Sequence, residues 1–144
     1  MAEVTPEQVA LIQRSFAKIA PIAGEAAALF YDRLFEIAPE VKPLFHGDMK
    51  EQGRKLMGTL AVVINGLTNL DSILPAASAL AKKHVAYGVK AEHYGPVGVA
   101  LLWTLEHGLG AEWTADLAAA WTAAYTTLSG YMIGEAYGRI EAAE

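Results

Sequence analysis

Along nearly the whole 144-residue chain, apolar residues recur every three or four positions. Nowhere do they alternate with the period of two that a half-buried strand requires. That spacing restricts the chain to an all-α fold. Val9, Ile12, Phe16 and Ile19 form a first stripe, and Ile22, Ala26, Phe30, Leu34 and Ile37 a second. Leu56, Leu60, Val63, Ile64 and Leu67 form a third, and Leu80 and His84 share a fourth. Val97, Leu101, Leu105 and Leu109 form a fifth, and Leu117, Trp121, Tyr125, Leu128 and Met132 the last. A helix with one apolar stripe has to bury it against other helices, so these segments define a packed helical core.

Capping residues set the boundaries. In Thr5-Pro6-Glu7-Gln8, Thr5 is placed to cap, Pro6 suits the first helical position and Gln8 completes a capping box. Pro21 interrupts the first stripe, and Ala38-Pro39 ends the second helix because the residue before proline is pushed out of the helical region. A short turn leads to Pro43-Leu44-Phe45, and His46-Gly47-Asp48 reads as a loop. A longer helix opens near Met49 and weakens at Asn65-Gly66 and Asn69. The next is expected to begin near Pro75 and stop at Gly88, the following one to stop at Gly110, and the final helix to start near Trp113-Thr114. The expectation is about seven or eight helices of unequal length, unlike an even four-helix bundle. No internal repeat, linker or block of like charge divides the chain, so residues 1–144 are expected to form a single domain.

Composition removes several kinds of chemistry. There is no cysteine, which excludes disulfides, thiolate catalysis and cysteine-ligated zinc or iron-sulfur sites. The net charge is −5, and the 11 Lys and Arg residues are scattered apart from short clusters such as Lys82-Lys83. No stripe tracks a phosphate backbone, so nucleic acid is not an expected partner. The opening MAEVTPEQ has neither a basic nor an apolar leader segment, and a cytoplasmic location is expected. The uncharged run Leu117–Gly134 is long, but Ala, Thr, Ser, Gly and Tyr fill it; it reads as an amphipathic core helix, with no membrane insertion.

In an all-helical chain a chemical site has to be assembled from side chains on facing helices, and the histidines are the candidates: His46, His84, His93 and His107. No two of them are spaced for a zinc or di-iron site on one helix. His84 falls in the last turn of its helix, after Leu80 and Lys82-Lys83. A neutral imidazole there could occupy one axial position of a haem iron. It could equally be a histidine placed favourably against the negative end of the helix dipole, which would suit the two lysines as well.

Five segments together resemble the globin family: Leu29-Phe30-Tyr31-Asp32-Arg33-Leu34-Phe35, Pro43-Leu44-Phe45, Gln52-Gly53-Arg54-Lys55-Leu56, the run from Leu80 through His84 to Val89, and Ala120-Trp121-Thr122-Ala123-Ala124-Tyr125. They are most similar to bacterial single-domain globins, flavohaemoglobin globin domains and neuroglobin, and their order holds from about Thr5 to Tyr131. The resemblance implies a globin fold around haem b, with His84 as the proximal iron ligand. It places Leu80, Val89 and Val97 against the haem, and Phe45 as the wedge against the ring. Gln52 and Leu56, on one helical face, would lie over the iron. Tyr31 would be the distal tyrosine, and Lys55 matches a residue that reaches a haem propionate, a solvated surface lysine being the alternative. Tyr94 matches a tyrosine that backs the proximal histidine together with a glutamate. Glu135 falls one residue early for that second role, which turns its side chain by about 100°.

The resemblance further implies binding of dioxygen, nitric oxide and carbon monoxide, with Tyr31 and Gln52 stabilising the bound ligand. Nitric oxide dioxygenation is the reaction it points to. No flavin or nicotinamide domain is expected after Glu144, so turnover is expected to need a separate reductase. Gln52 stands where a distal histidine would otherwise supply a sixth ligand. A gas or redox sensor acting through a partner protein is the alternative function, and a monomer or weak homodimer the expected assembly.

Overall fold

The computed structural model describes residues 4–45, 48–86 and 90–137. Six α-helices occupy most of them: α1 (Pro6–Ile19), α2 (Ala23–Ile37), α3 (Met49–Asn65), α4 (Leu70–Ala86), α5 (Tyr94–Leu109) and α6 (Ala115–Tyr137). Five short 3-10 turns join or extend them, and there is no strand among the described residues. The helix count is lower than the seven or eight expected because connections such as Pro39–Leu44 are 3-10 turns. Their prolines lack the N–H that an α-helix would use.

Local signals explain most helix ends. At α1 both capping-box bonds form: the Gln8 amide donates to Thr5 Oγ1 at 3.1 Å, and the Thr5 amide donates to Gln8 Oε1 at 3.0 Å. Asp48 caps α3 by accepting from the Lys50 amide at 2.9 Å. The Thr114 hydroxyl accepts from the Leu117 amide at the start of α6. Gly110 ends α5 with a φ of 56°, the one positive φ among the described residues. That is a conformation glycine adopts without steric cost.

The core lies where α2 packs on α5 and α3, α1 on α6 and α3, and α4 on α6. Ile12, Ile19 and Leu34 are sealed from solvent at its centre. Trp121 on α6 donates its indole N–H to the Ser15 hydroxyl on α1 at 2.9 Å, and Ser15 donates onward to the Ile12 carbonyl. The buried polar atoms of this first-to-last helix contact are thereby satisfied.

Three boundary expectations are corrected. Helix α4 begins at Leu70, five residues before Pro75. The proline is tolerated inside it because Pro75 and Asp71, whose carbonyl loses its helical donor, are both exposed to solvent. Leu67 is buried but belongs to a separate 3-10 turn. Ile37, placed on the buried stripe of α2, is 37% exposed, because the stripe reaches the helix end where the chain turns away. The expected stop at Gly88 lies outside the described residues.

Candidate functional site

His84 occupies the last turn of α4, half-buried, and its ring meets the Tyr94 ring edge to face with centroids 6.3 Å apart. Burial pushes its pKa below the ordinary histidine value, which favours the neutral imidazole, the form that ligates a metal. Its Nδ1 is buried and has no hydrogen-bond partner among the described residues. Tyr94 is itself fixed at the start of α5: Tyr125 on α6 donates its hydroxyl to the Tyr94 carbonyl at 2.6 Å. The Tyr125 phenol is pushed up strongly by burial and, secondarily, by the neighbouring Tyr94.

A second cluster gathers on α2, α3 and the turn between them. Tyr31 is buried, and its hydroxyl donates to the Gln52 backbone carbonyl at 3.3 Å. Its ring meets Phe45 at 5.3 Å and Phe30 at 5.1 Å, both edge-on, and stacks with Phe35 at 6.0 Å. Desolvation raises the Tyr31 phenol to about 12. Helices α2 and α3 can bring these groups together because Gly53 lacks a side chain. A methyl group there would lie 2.9 Å from Ala27 Cβ. One helical turn after Gln52, Leu56 lines a small apolar cavity with Phe30, Leu101 and Trp121.

Tyr31, Gln52 and Phe45 are thus drawn together, as are His84 and Tyr94. Leu80 and Val97 are half-buried on α4 and α5, and Lys55 is exposed on α3. Val89 and His46 lie outside the described residues. The remaining histidines have structural roles. His93 is buried and accepts from the Lys90 amide at 3.0 Å through Nδ1, capping the turn before α5. His107 is exposed and stacks on Trp103 at 3.9 Å, while Arg33 lies 5.0 Å from the Trp103 ring centre.

Glu135 does not act as a free surface carboxylate: Ser78 on α4 donates to its Oε1 at 2.7 Å in a partly buried contact. Sequence reasoning passed over Ser78. The available signal was a lone hydroxyl amid the alanines of α4, where serine is a poorer helix former than its neighbours.

The described residues contain no group of three or more His, Asp or Glu side chains able to hold a metal ion. A metal on His84 would need its further ligands from a bound group or from beyond these residues. A half-buried imidazole on α4 and, on α2 and α3, a buried aromatic cluster carrying a hydroxyl are side chains of the kind that would hold such a group.

The globin family model matches residues 28–132. Among curated proteins, the chain is 35% identical to a flavohemoprotein of Bordetella parapertussis over 135 residues, covering 91% of this chain and 33% of that protein. It is likewise 35% identical to a flavohemoprotein of Chromobacterium violaceum over 108 residues, covering 73% of this chain and 27% of the relative. The chain thus spans at most a third of the length of these relatives. Among solved structures, a bacterial globin from Campylobacter jejuni superposes with a TM-score of 0.81 at 26% identity, covering 95% of this chain and 99% of that one.

Proposed function

The chain belongs to the globin family, and on that premise we propose that it holds haem on His84 and binds dioxygen and related diatomic gases. His84 carries the reading: a half-buried imidazole kept neutral by its surroundings, at the end of a helix, facing no competing protein ligand among the described residues. The resemblance implies haem b, and a chain without cysteine has no thiol for c-type covalent attachment.

Haem, when bound, supplies an iron that takes small gases. Each remaining role belongs to a side chain. His84 would hold the iron, and Tyr94, whose ring packs against the imidazole, would orient it. On the distal side Tyr31 and Gln52 are the residues that would meet a polar ligand, with the Tyr31 hydroxyl as a donor. The Tyr31 bond to the Gln52 carbonyl is long, at 3.3 Å, so the hydroxyl is readily surrendered to a better acceptor. A hydrogen bond to a charged acceptor is worth about 1.5–3 kcal/mol, or roughly one to two decades in affinity. Phe45 would wedge against such a ring, Leu56 would keep water from the pocket, and half-buried Leu80 and Val97 would line the haem. Exposed Lys55 is free to meet a propionate.

We further infer nitric oxide dioxygenation, in which nitric oxide, dioxygen and one electron give nitrate, the electron coming from a separate reductase. The similarity to flavohemoproteins supports this reaction. Absorption spectra of the ferric, ferrous and oxygenated protein test the binding reading. The expected result is a Soret band with a reversible oxygenated form, lost in His84→Ala; a Soret band retained in that variant would refute the ligand assignment. Stopped-flow mixing of the oxygenated protein with nitric oxide tests the reaction, with nitrate and ferric protein as the expected products and their absence as the refuting result.

A further inference from the structure

We propose that Ser78 is a positioning residue for the proximal site, holding the Glu135 carboxylate away from His84; this rests on the reading of His84 as the iron ligand. A metal-bound histidine almost always gives its second ring N–H to a carboxylate, a carbonyl or water, and that bond raises the basicity of the ligand. The His84 Nδ1 is buried and has no such acceptor among the described residues. The helix packed on α4 does carry a carboxylate, Glu135 of α6. Its Oε1 is committed to Ser78 at 2.7 Å, across 57 residues of sequence. At 1.5 Å per residue, Ser78 stands about 9 Å before His84 along α4.

A hydrogen bond to an ionised carboxylate is roughly twice as strong as a neutral one, so a serine in this place is an effective competitor for it. While Ser78 keeps the carboxylate, the His84 imidazole remains an ordinary neutral donor. Freed, the carboxylate becomes the strongest acceptor that α6 offers to the proximal histidine and makes it a more electron-rich ligand. The hydroxyl at position 78 therefore sets how hard the protein pushes electron density onto the iron.

The iron–histidine stretching band in the resonance Raman spectrum of the ferrous, haem-loaded protein reads this directly. The expected result is a shift to higher frequency in Ser78→Ala, no shift in Ser78→Thr, which keeps the hydroxyl, and no shift in the Ser78→Ala/Glu135→Gln double variant. Unchanged frequency in Ser78→Ala overturns the proposal. So does a downward shift in Glu135→Gln alone, since that places the carboxylate on the histidine already. A wild-type protein with a Soret band but no iron–histidine band overturns the ligand assignment and the proposal with it, and is distinguished by failing before any variant is made.

Discussion

Tyr31 has both packing and hydrogen-bonding roles. Its ring fills a cluster with Phe30, Phe35 and Phe45, and its hydroxyl reaches the Gln52 carbonyl. Burial raises the phenol from its ordinary value of about 10 to about 12, so the folded protein keeps a proton that the unfolded chain gives up first. The unfolded state then binds fewer protons, and stability falls as pH rises from about 10 through about 12, by at most about 1.4 kcal/mol per pH unit. Urea titrations across that window should show the decline in wild type and a shallower one in Tyr31→Phe; equal slopes would contradict it. Ser15 is the other residue on which much depends. In Ser15→Ala the buried Trp121 indole N–H loses its acceptor, and a loss of about 1–3 kcal/mol is expected, read as a lower urea midpoint with an unchanged m-value. The Trp121 stripe was visible in the sequence, whereas its partner 106 residues away was not, because periodicity identifies a buried face but not what that face meets.

Helix α3 is placed by a glycine. Gly53→Ala would put a methyl group 2.9 Å from Ala27 Cβ, and neither atom can yield unless α2 and α3 move apart. Overpacking of this kind costs about 1–3 kcal/mol, and it should also draw the Gln52 carbonyl from Tyr31, changing the aromatic near-ultraviolet circular dichroism. Ala27→Gly added to Gly53→Ala should recover part of the stability; no recovery would place the strain elsewhere. Element types and most boundaries were legible because caps act locally: the Thr5–Gln8 box and the Gly110 stop are formed as read. The start of α4 was misread for the same local reason. A proline is a strong helix signal in sequence, and only the exposure of Pro75 and Asp71 in the folded chain shows why the helix runs through it.

At the scale of the molecule, a ligand that binds only the folded state stabilises it by mass action, by about 2.7 kcal/mol at a hundredfold excess over Kd. Adding haem should therefore raise the melting temperature of wild type and leave His84→Ala unmoved; an equal rise in both would mean that His84 does not hold it. Among the described residues no helix is long and apolar enough to cross a membrane, which agrees with reading the uncharged run of α6 as core. The sequence by itself determined the helical class, the stripes that became the core and the exclusion of cysteine chemistry, because those follow from side-chain period and type. Its spacing alone offered four histidines with little to separate them, and only the resemblance singled out His84. The tertiary structure separates the three it describes: His93 is spent on a cap, exposed His107 lies on half-buried Trp103, and His84 is half-buried against Tyr94 with no hydrogen bond to its Nδ1 among the described residues. Glu135 too was settled by a partner, Ser78, that only the packing of α4 on α6 supplies. Hydrogen-bond partners distant in sequence are fixed by which helices meet and at what register, and that information exists only once the chain has folded.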